Sequence, residues 1–226
     1  MIETVFFMEL KGKKIAFLGD SITEGAGVND QEQLFWKVIG RETGAQCYGY
    51  GIGGTRIAPQ RVVSEENNIW DRYFASRVDE MIPDADVVVI FGGTNDFGHG
   101  DAAMGKLGDC TNDTFYGAYH LLIAKLIERY PAAQLVIMTP LHRESEDNSL
   151  YNEWGVRRVG VLSDYVCAIR EVAESYGVPV VDLFKNCGIQ PKNPVHKQKY
   201  APDGLHPNDE GHKLVAKCVL SVLNGL

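Results

Sequence analysis

The chain has 226 residues, 45% of them hydrophobic, with 22 Lys and Arg against 30 Asp and Glu and a net charge of −8. That length fits one or two domains, and the apolar share excludes a disordered chain. The acidic balance argues against duplex nucleic acid or an anionic membrane as the main partner, because both are held by Lys and Arg neutralisation.

Taken in chain order, the opening stretch MIETVFFMELKGKK has no basic segment ahead of a long apolar run. It reads as neither a secretory leader nor a membrane span, so a cytoplasmic protein without stable membrane insertion is the expectation. KIAFLG (14–19) is the first buried strand, and it runs into GDSITEG (19–25). A less regular helix is expected over about 31–43, followed by a second strand, AQCYGY (45–50), and the glycine-rich GYGIGG (49–54). Another helix is expected near 68–81, and DVVVIFGG (86–93) is the third strand, ending in GGTND (92–96). Phe115, Ala118, Leu122, Leu126 and Tyr130 recur at helical spacing, and QLVIMTP (134–140) follows as a fourth strand. Val156, Val159, Leu162, Val166, Ile169, Val172 and Tyr176 mark another helix, ahead of a fifth strand, VPVVDLF (178–184). DGLHPN (203–208) precedes a last helical pattern through Leu214, Val215, Cys218, Val219 and Val222.

Unbroken apolar strands alternating with helices imply right-handed crossovers and a parallel sheet covered on both faces. The expected architecture is α/β: a five-stranded, flavodoxin-like, three-layer α/β/α sandwich, with residues 1–226 forming one domain. Ligands of such sheets bind beyond the carboxyl ends of the strands. The polar segments GDSITEG, GYGIGG, GGTND and DGLHPN fall at those ends or in the loops beyond them. Cys47, Cys110, Cys167, Cys187 and Cys218 form no CxxC pair and suit a reducing compartment.

Each segment alone has a bland alternative. Ser21 with Glu24 has the form of a capping box, so it can be a helix cap as well as a nucleophile. Asp203 and His206, separated by a short glycine turn, can supply an oriented base, or simply be a loop acid and an exposed histidine. Asn95 can donate to an oxyanion or sit in an Asn-Asp turn. Residues 49–54 fit GxGxxG literally, and Asp71 lies at about the distance of a ribose-binding acid. Against a nucleotide site, GYGIGG follows the second strand, and TRIAPQ does not read as a helix opening on its last glycine. Asp20 and Asp96, beside Ser21 and Asn95, read as loop-holding acids that accept backbone N–H groups.

Together the four segments resemble the SGNH hydrolases, the GDSL-type esterases and lipases. GDSITEG looks like their first block, with Ser21 at the nucleophile position; GIGGT the second, with Gly54 at the oxyanion glycine and Gly53 one residue away. GGTND resembles the third, with Asn95 as amide donor, and DGLHPN the last, with Asp203 and His206 completing the triad. The chain departs from the family in having Gly49 where the second block often carries asparagine. The resemblance implies a serine esterase acting through an acyl-enzyme on Ser21, with an oxyanion hole of Ser21, Gly54 and Asn95 and neither cofactor nor metal. It also implies that Asp203 matters less than Ser21 or His206.

The expected partner is a small-molecule ester, with short acyl groups such as acetyl on a carbohydrate or small alcohol taken first. Longer-chain lipase, lysophospholipase and thioesterase activities are the enzymatic alternatives. A catalytically dead binding module and a nucleotide binder using Gly49–Gly54 are the others. Three long loops, about 97–113, 141–154 and 185–202, edge the site; Tyr151 and Trp154 in the second, and the lysines of the third, are candidate substrate contacts if that surface is not simply solvated.

Overall fold

The computed structural model describes residues 9–63, 68–147 and 159–226. Five strands, β1 (Lys14–Gly19), β2 (Gln46–Gly51), β3 (Val87–Phe91), β4 (Gln134–Met138) and β5 (Val180–Val181), form one parallel sheet in the order β2-β1-β3-β4-β5. The nine α-helices among the described residues are α1 (Ser21–Glu24), α2 (Phe35–Thr43), α3 (Phe74–Arg77), α4 (Thr94–His99), α5 (Phe115–Arg129), α6 (Leu162–Ser175), α7 (Leu183–Asn186), α8 (Pro194–Tyr200) and α9 (Asp209–Leu223). The expected flavodoxin-like sandwich is therefore the observed one.

Strand periodicity divides the core. Ala16, Leu18, Val88, Ile90, Leu135 and Ile137 pack with α3, α5 and α6 on one face. Ile15, Phe17, Val87, Val89, Phe91, Val136 and Met138 pack with α2 and α9 on the other. Successive side chains of a strand point to opposite faces, so continuous apolar strands need two helical layers. Phe35, fully buried on α2, meets Phe17 and Phe91 edge-to-face at 5.4 and 6.0 Å. Such pairs add about 1 kcal/mol each to the area they bury.

Several boundaries differ from those read in the sequence. The helix expected over 31–43 splits into a 3-10 turn (Gln31–Gln33) and α2, because Leu34 takes an extended ψ of 131°. The helix expected over 68–81 breaks into two 3-10 turns flanking α3: Tyr73 is extended, and Phe74 N–H donates to Arg56 O at 2.9 Å. The helix expected through Val156 to Tyr176 starts later, at Leu162 after an extended Val161; Val156 lies outside the described residues. Strand β5 is only two residues long, between Pro179 and Asp182, whose side chain caps α7. The loop expected over 185–202 contains α8, started by Pro194 at its N-terminus and capped by Asn193.

The end of β2 lies hard against the last two residues of α1. A Cβ on Gly51 would be 2.1 Å from Glu24 N and 2.5 Å from the Thr23 carbonyl carbon, both backbone atoms. Gly51→Ala therefore has to push α1 off the sheet, and we expect a loss of about 1–3 kcal/mol, typical of overpacking. Urea denaturation measures it; an unchanged midpoint contradicts this packing.

Candidate active site

Strands β1, β2 and β3 stop in register, with Gly19 paired to both Gly51 and Phe91. The segments that follow them leave the sheet side by side. After β1, Asp20 is the N-cap of α1, its Oδ1 accepting from Ile22 N–H at 3.0 Å. This corrects the capping-box expectation for Ser21: the carboxylate caps, and the Ser21 hydroxyl is left for another partner. That partner is His206, whose Nε2 lies 3.0 Å from Ser21 Oγ. His206 Nδ1 lies 2.6 Å from Asp203 Oδ2. With the proton on Nδ1, both contacts are satisfied: Nδ1–H donates to Asp203, and Nε2 accepts from Ser21.

Asp203 is fixed by its own loop. Its Oδ1 accepts from Leu205 N–H at 2.9 Å and His206 N–H at 2.7 Å. Burial pushes its carboxyl up, but the His206 ring and these two N–H groups outweigh that and hold it down at about 2. His206 is held in turn by the start of α9. Asn208 caps that helix on Gly211 N–H at 3.1 Å, and Asn208 N–H donates to Tyr200 O at 2.8 Å. Asp209 Oδ1 accepts from Asn29 N–H at 2.8 Å, tying the histidine arm to the loop beyond α1.

Glu24 does not complete a cap either. Its Oε2 accepts from Gly53 N–H at 2.9 Å, which engages the one glycine N–H next to Gly54. A Cβ on Gly53 would lie 3.7 Å from Ser21 Cβ, so the second segment passes directly beside the serine. Gly54 has φ +72°, a left-handed conformation that favours glycine, and its N–H has no partner among the described residues. Its Cα faces the Trp70 ring, which a Cβ would meet at 3.0 Å. From the third segment, Asn95 is buried, with Nδ2 donating to Thr55 O at 3.0 Å. That bond uses one of the two amide hydrogens.

Asp20 and Asp96 behave as the loop-holding acids expected. Asp96 accepts from Ile57 N–H at 3.0 Å and Ala58 N–H at 2.9 Å. Burial pushes both carboxyls up to about 6, against the pull of these N–H groups, of His206 and Arg77 on Asp20, and of Arg56 on Asp96.

The GxGxxG reading lacks its helix. Its first glycines lie within β2, none of the described residues 55–63 is helical, and Asp71 pairs with the buried Arg56 at 3.2 Å. Two of the expected lysine contacts are also occupied: Lys197 pairs with Glu144, and Lys192 with Glu146 and Asp147. Tyr151 and Trp154 lie outside the described residues. Among those residues no group of His, Cys, Asp or Glu is arranged to hold a metal, and no helix is long and apolar enough to cross a membrane.

Sequence reasoning missed Arg77, Arg56 and Trp70. Arg77 is 2% exposed and donates into the segments around Ser21 and Gly54, yet an arginine in a helical pattern carries no signal of burial. Arg56 Nη2 donates to Trp70 O at 3.0 Å, which fixes the indole beside Gly54.

A sequence profile of the GDSL-like Lipase/Acylhydrolase family matches residues 17–214, from β1 into α9. Comparison with curated protein sequences gave no match. One solved structure is 32% identical, with a TM-score of 0.81 over 96% of this chain and 99% of its own. A protein from Lactobacillus plantarum is 30% identical, with a TM-score of 0.75 over 94% and 97%. An acetyl xylan esterase, AlAXEase, shares the fold at 24% identity, with a TM-score of 0.64 over 92% and 98%. With the profile spanning every segment that meets at this sheet edge, the chain belongs to the GDSL-like lipase/acylhydrolase family of SGNH hydrolases and is a carboxylic ester hydrolase.

Proposed function

We propose that the chain is a single-domain serine esterase that removes short acyl groups, acetyl first, from a carbohydrate or other small alcohol. The observation that carries this reading is the continuous chain Ser21 Oγ–His206 Nε2 at 3.0 Å and His206 Nδ1–Asp203 Oδ2 at 2.6 Å.

In the acylation step His206 Nε2 takes the Ser21 proton as Oγ bonds to the ester carbonyl carbon. Asp203, ionised down to about pH 2, holds the imidazole tautomer and stabilises the imidazolium. The oxyanion is met by the backbone N–H groups of Ser21 and Gly54 and by the free amide hydrogen of Asn95. The engagement of Gly53 N–H by Glu24 supports Gly54 over Gly53 in this role. Each such donor lowers the barrier by about 3–4 kcal/mol. The C–O bond to the alcohol breaks as His206 returns its proton to the leaving oxygen. Water, deprotonated by the same histidine, then releases the acid and regenerates Ser21 Oγ–H. These steps draw on no cofactor.

Two features support a small acyl group: the Trp70 ring walls the Gly54 side of the site, and an acetyl xylan esterase shares the fold. A second reading, a longer apolar acyl chain, is favoured by Val62 and Val63, which are 74% and 62% exposed. The absence of disulfides among the described residues fits the proposed cytoplasmic setting.

Ser21→Ala and His206→Ala are each expected to lower kcat by about 10⁶-fold, with Asp203→Ala about 10–100-fold milder. Steady-state hydrolysis of p-nitrophenyl acetate measures this, and three equal losses would overturn the division of labour. A series of p-nitrophenyl esters from acetyl to palmitoyl is expected to give its highest kcat/KM at acetyl or butyryl. An optimum at palmitoyl would establish the second reading instead.

A further inference from the structure

Arg77 is a buried cation beside the site that the reaction itself does not use. It closes α3, is 2% exposed, and its guanidinium lies 4.7 Å over the Phe74 ring. Its donors reach two strand ends and one loop. Nη1 donates to Tyr50 O at 3.1 Å, near the end of β2. Nη2 donates to Gly19 O at 2.9 Å, the last residue of β1, and to Thr55 Oγ1 at 3.1 Å.

Those acceptors are close to the proposed oxyanion donors in the chain. Gly19 O lies two residues before Ser21. Thr55 directly follows Gly54, and its own carbonyl accepts from Asn95 Nδ2 at 3.0 Å. Thr55 Oγ1 donates back to Ile52 O at 2.7 Å, closing the Gly53–Gly54 turn. One planar guanidinium therefore ties the segments that supply Ser21 N–H and Gly54 N–H, and reaches Asn95 Nδ2 through the Thr55 carbonyl. Gly19 O already accepts the ladder bond from Ile52 N–H at 3.2 Å, and Arg77 fills the second lone pair of this buried carbonyl. A lysine would bring a charge and three hydrogens to one point, whereas the arginine fork spreads donors over two nitrogens and so spans separate segments.

We propose that Arg77 is a positioning residue for the oxyanion hole, setting the spacing of its three donors through Gly19 and Thr55. The inference rests on the proposed roles of Ser21, Gly54 and Asn95. Donors pre-set in this way stabilise the tetrahedral state rather than the bound ester, so loss of Arg77 falls on kcat and not on KM.

The test compares Arg77→Met, Arg77→Lys, Thr55→Val, Asn95→Ala and the Arg77→Met/Asn95→Ala double variant on p-nitrophenyl acetate. Circular dichroism at the assay temperature establishes that each is folded. Asn95→Ala is expected to lower kcat by about 100-fold, the usual cost of one lost oxyanion donor. Arg77→Met is expected to lower kcat by about 30-fold with KM changed less than about threefold, and Arg77→Lys to recover only part of that. In the Asn95→Ala background the Arg77→Met loss is expected to shrink, because part of the Arg77 effect runs through the Asn95 donor by way of Thr55. Binding of a phenylboronic acid, whose adduct with Ser21 places an oxygen in the hole, is expected to weaken in parallel with kcat.

A folded Arg77→Met enzyme with wild-type kcat, or a loss fully additive with Asn95→Ala, overturns the brace while leaving the oxyanion assignment standing. A wild-type kcat for Asn95→Ala overturns that assignment instead. If Arg77→Met does not fold, Thr55→Val decides: it removes the Oγ1 acceptor, together with the Oγ1 bond to Ile52 O, and is expected to lower kcat by about 5–10-fold and weaken boronate binding to match. Wild-type values for both overturn the brace.

Discussion

The site depends on the register of a parallel sheet. Gly19, Gly51 and Phe91 lie opposite one another across β2, β1 and β3, and the row continues through Met138 and Val181. Five segments therefore leave the sheet on one line, with no turn needed to bring them together. Antiparallel hairpins alternate the carboxyl ends of their strands between the two edges; here every crossover returns the chain to the same starting edge, so all five carboxyl ends share the other. The apolar content of the strands is a consequence of the same geometry, since helices must cover both faces of a parallel sheet.

On that line the protein sorts its aspartates by environment. Asp20 and Asp96 are buried against backbone N–H groups and have carboxyls raised to about 6, where they shape loops. Asp203 sits at the rim, its side chain about half exposed, yet three hydrogen bonds lower it to about 2. The acid that orients the histidine is thus the one whose charge is secured by direct donors. The two buried acids are poised closer to neutrality and cap α1 and hold the Ile57–Ala58 turn, respectively. The histidine arm and the serine arm are not independent, because Asp209 joins them through Asn29, and Trp36 Nε1–H holds Thr23 O of α1 at 3.0 Å.

Most of the fold was legible in the sequence because its strands are short apolar runs and its long helices carry regular apolar spacing. The four polar segments were legible because each falls at or beyond the end of such a run. What stayed hidden involved competition between local and tertiary bonds. Ser21 and Glu24 have the local form of a capping box, yet Asp20 is nearer to Ile22 N–H and Glu24 finds Gly53 across the sheet edge. Residues 68–81 have helical composition, but Tyr73 is extended where Phe74 N–H bonds to Arg56 O. Arg77 was illegible for a different reason: the carbonyls it satisfies belong to Gly19 and Tyr50, 58 and 27 residues earlier in the chain. No pattern in its own neighbourhood records them.

The central claim is that Ser21 is the nucleophile presented at this edge and activated by His206. Reaction of the native protein with a fluorophosphonate, followed by proteolysis and mass spectrometry, tests it most directly. The account predicts one adduct per chain, on the peptide carrying Ser21, formed rapidly in the folded protein and lost on heat denaturation. An adduct on another residue, or ester turnover that continues with Ser21 unlabelled, would contradict it.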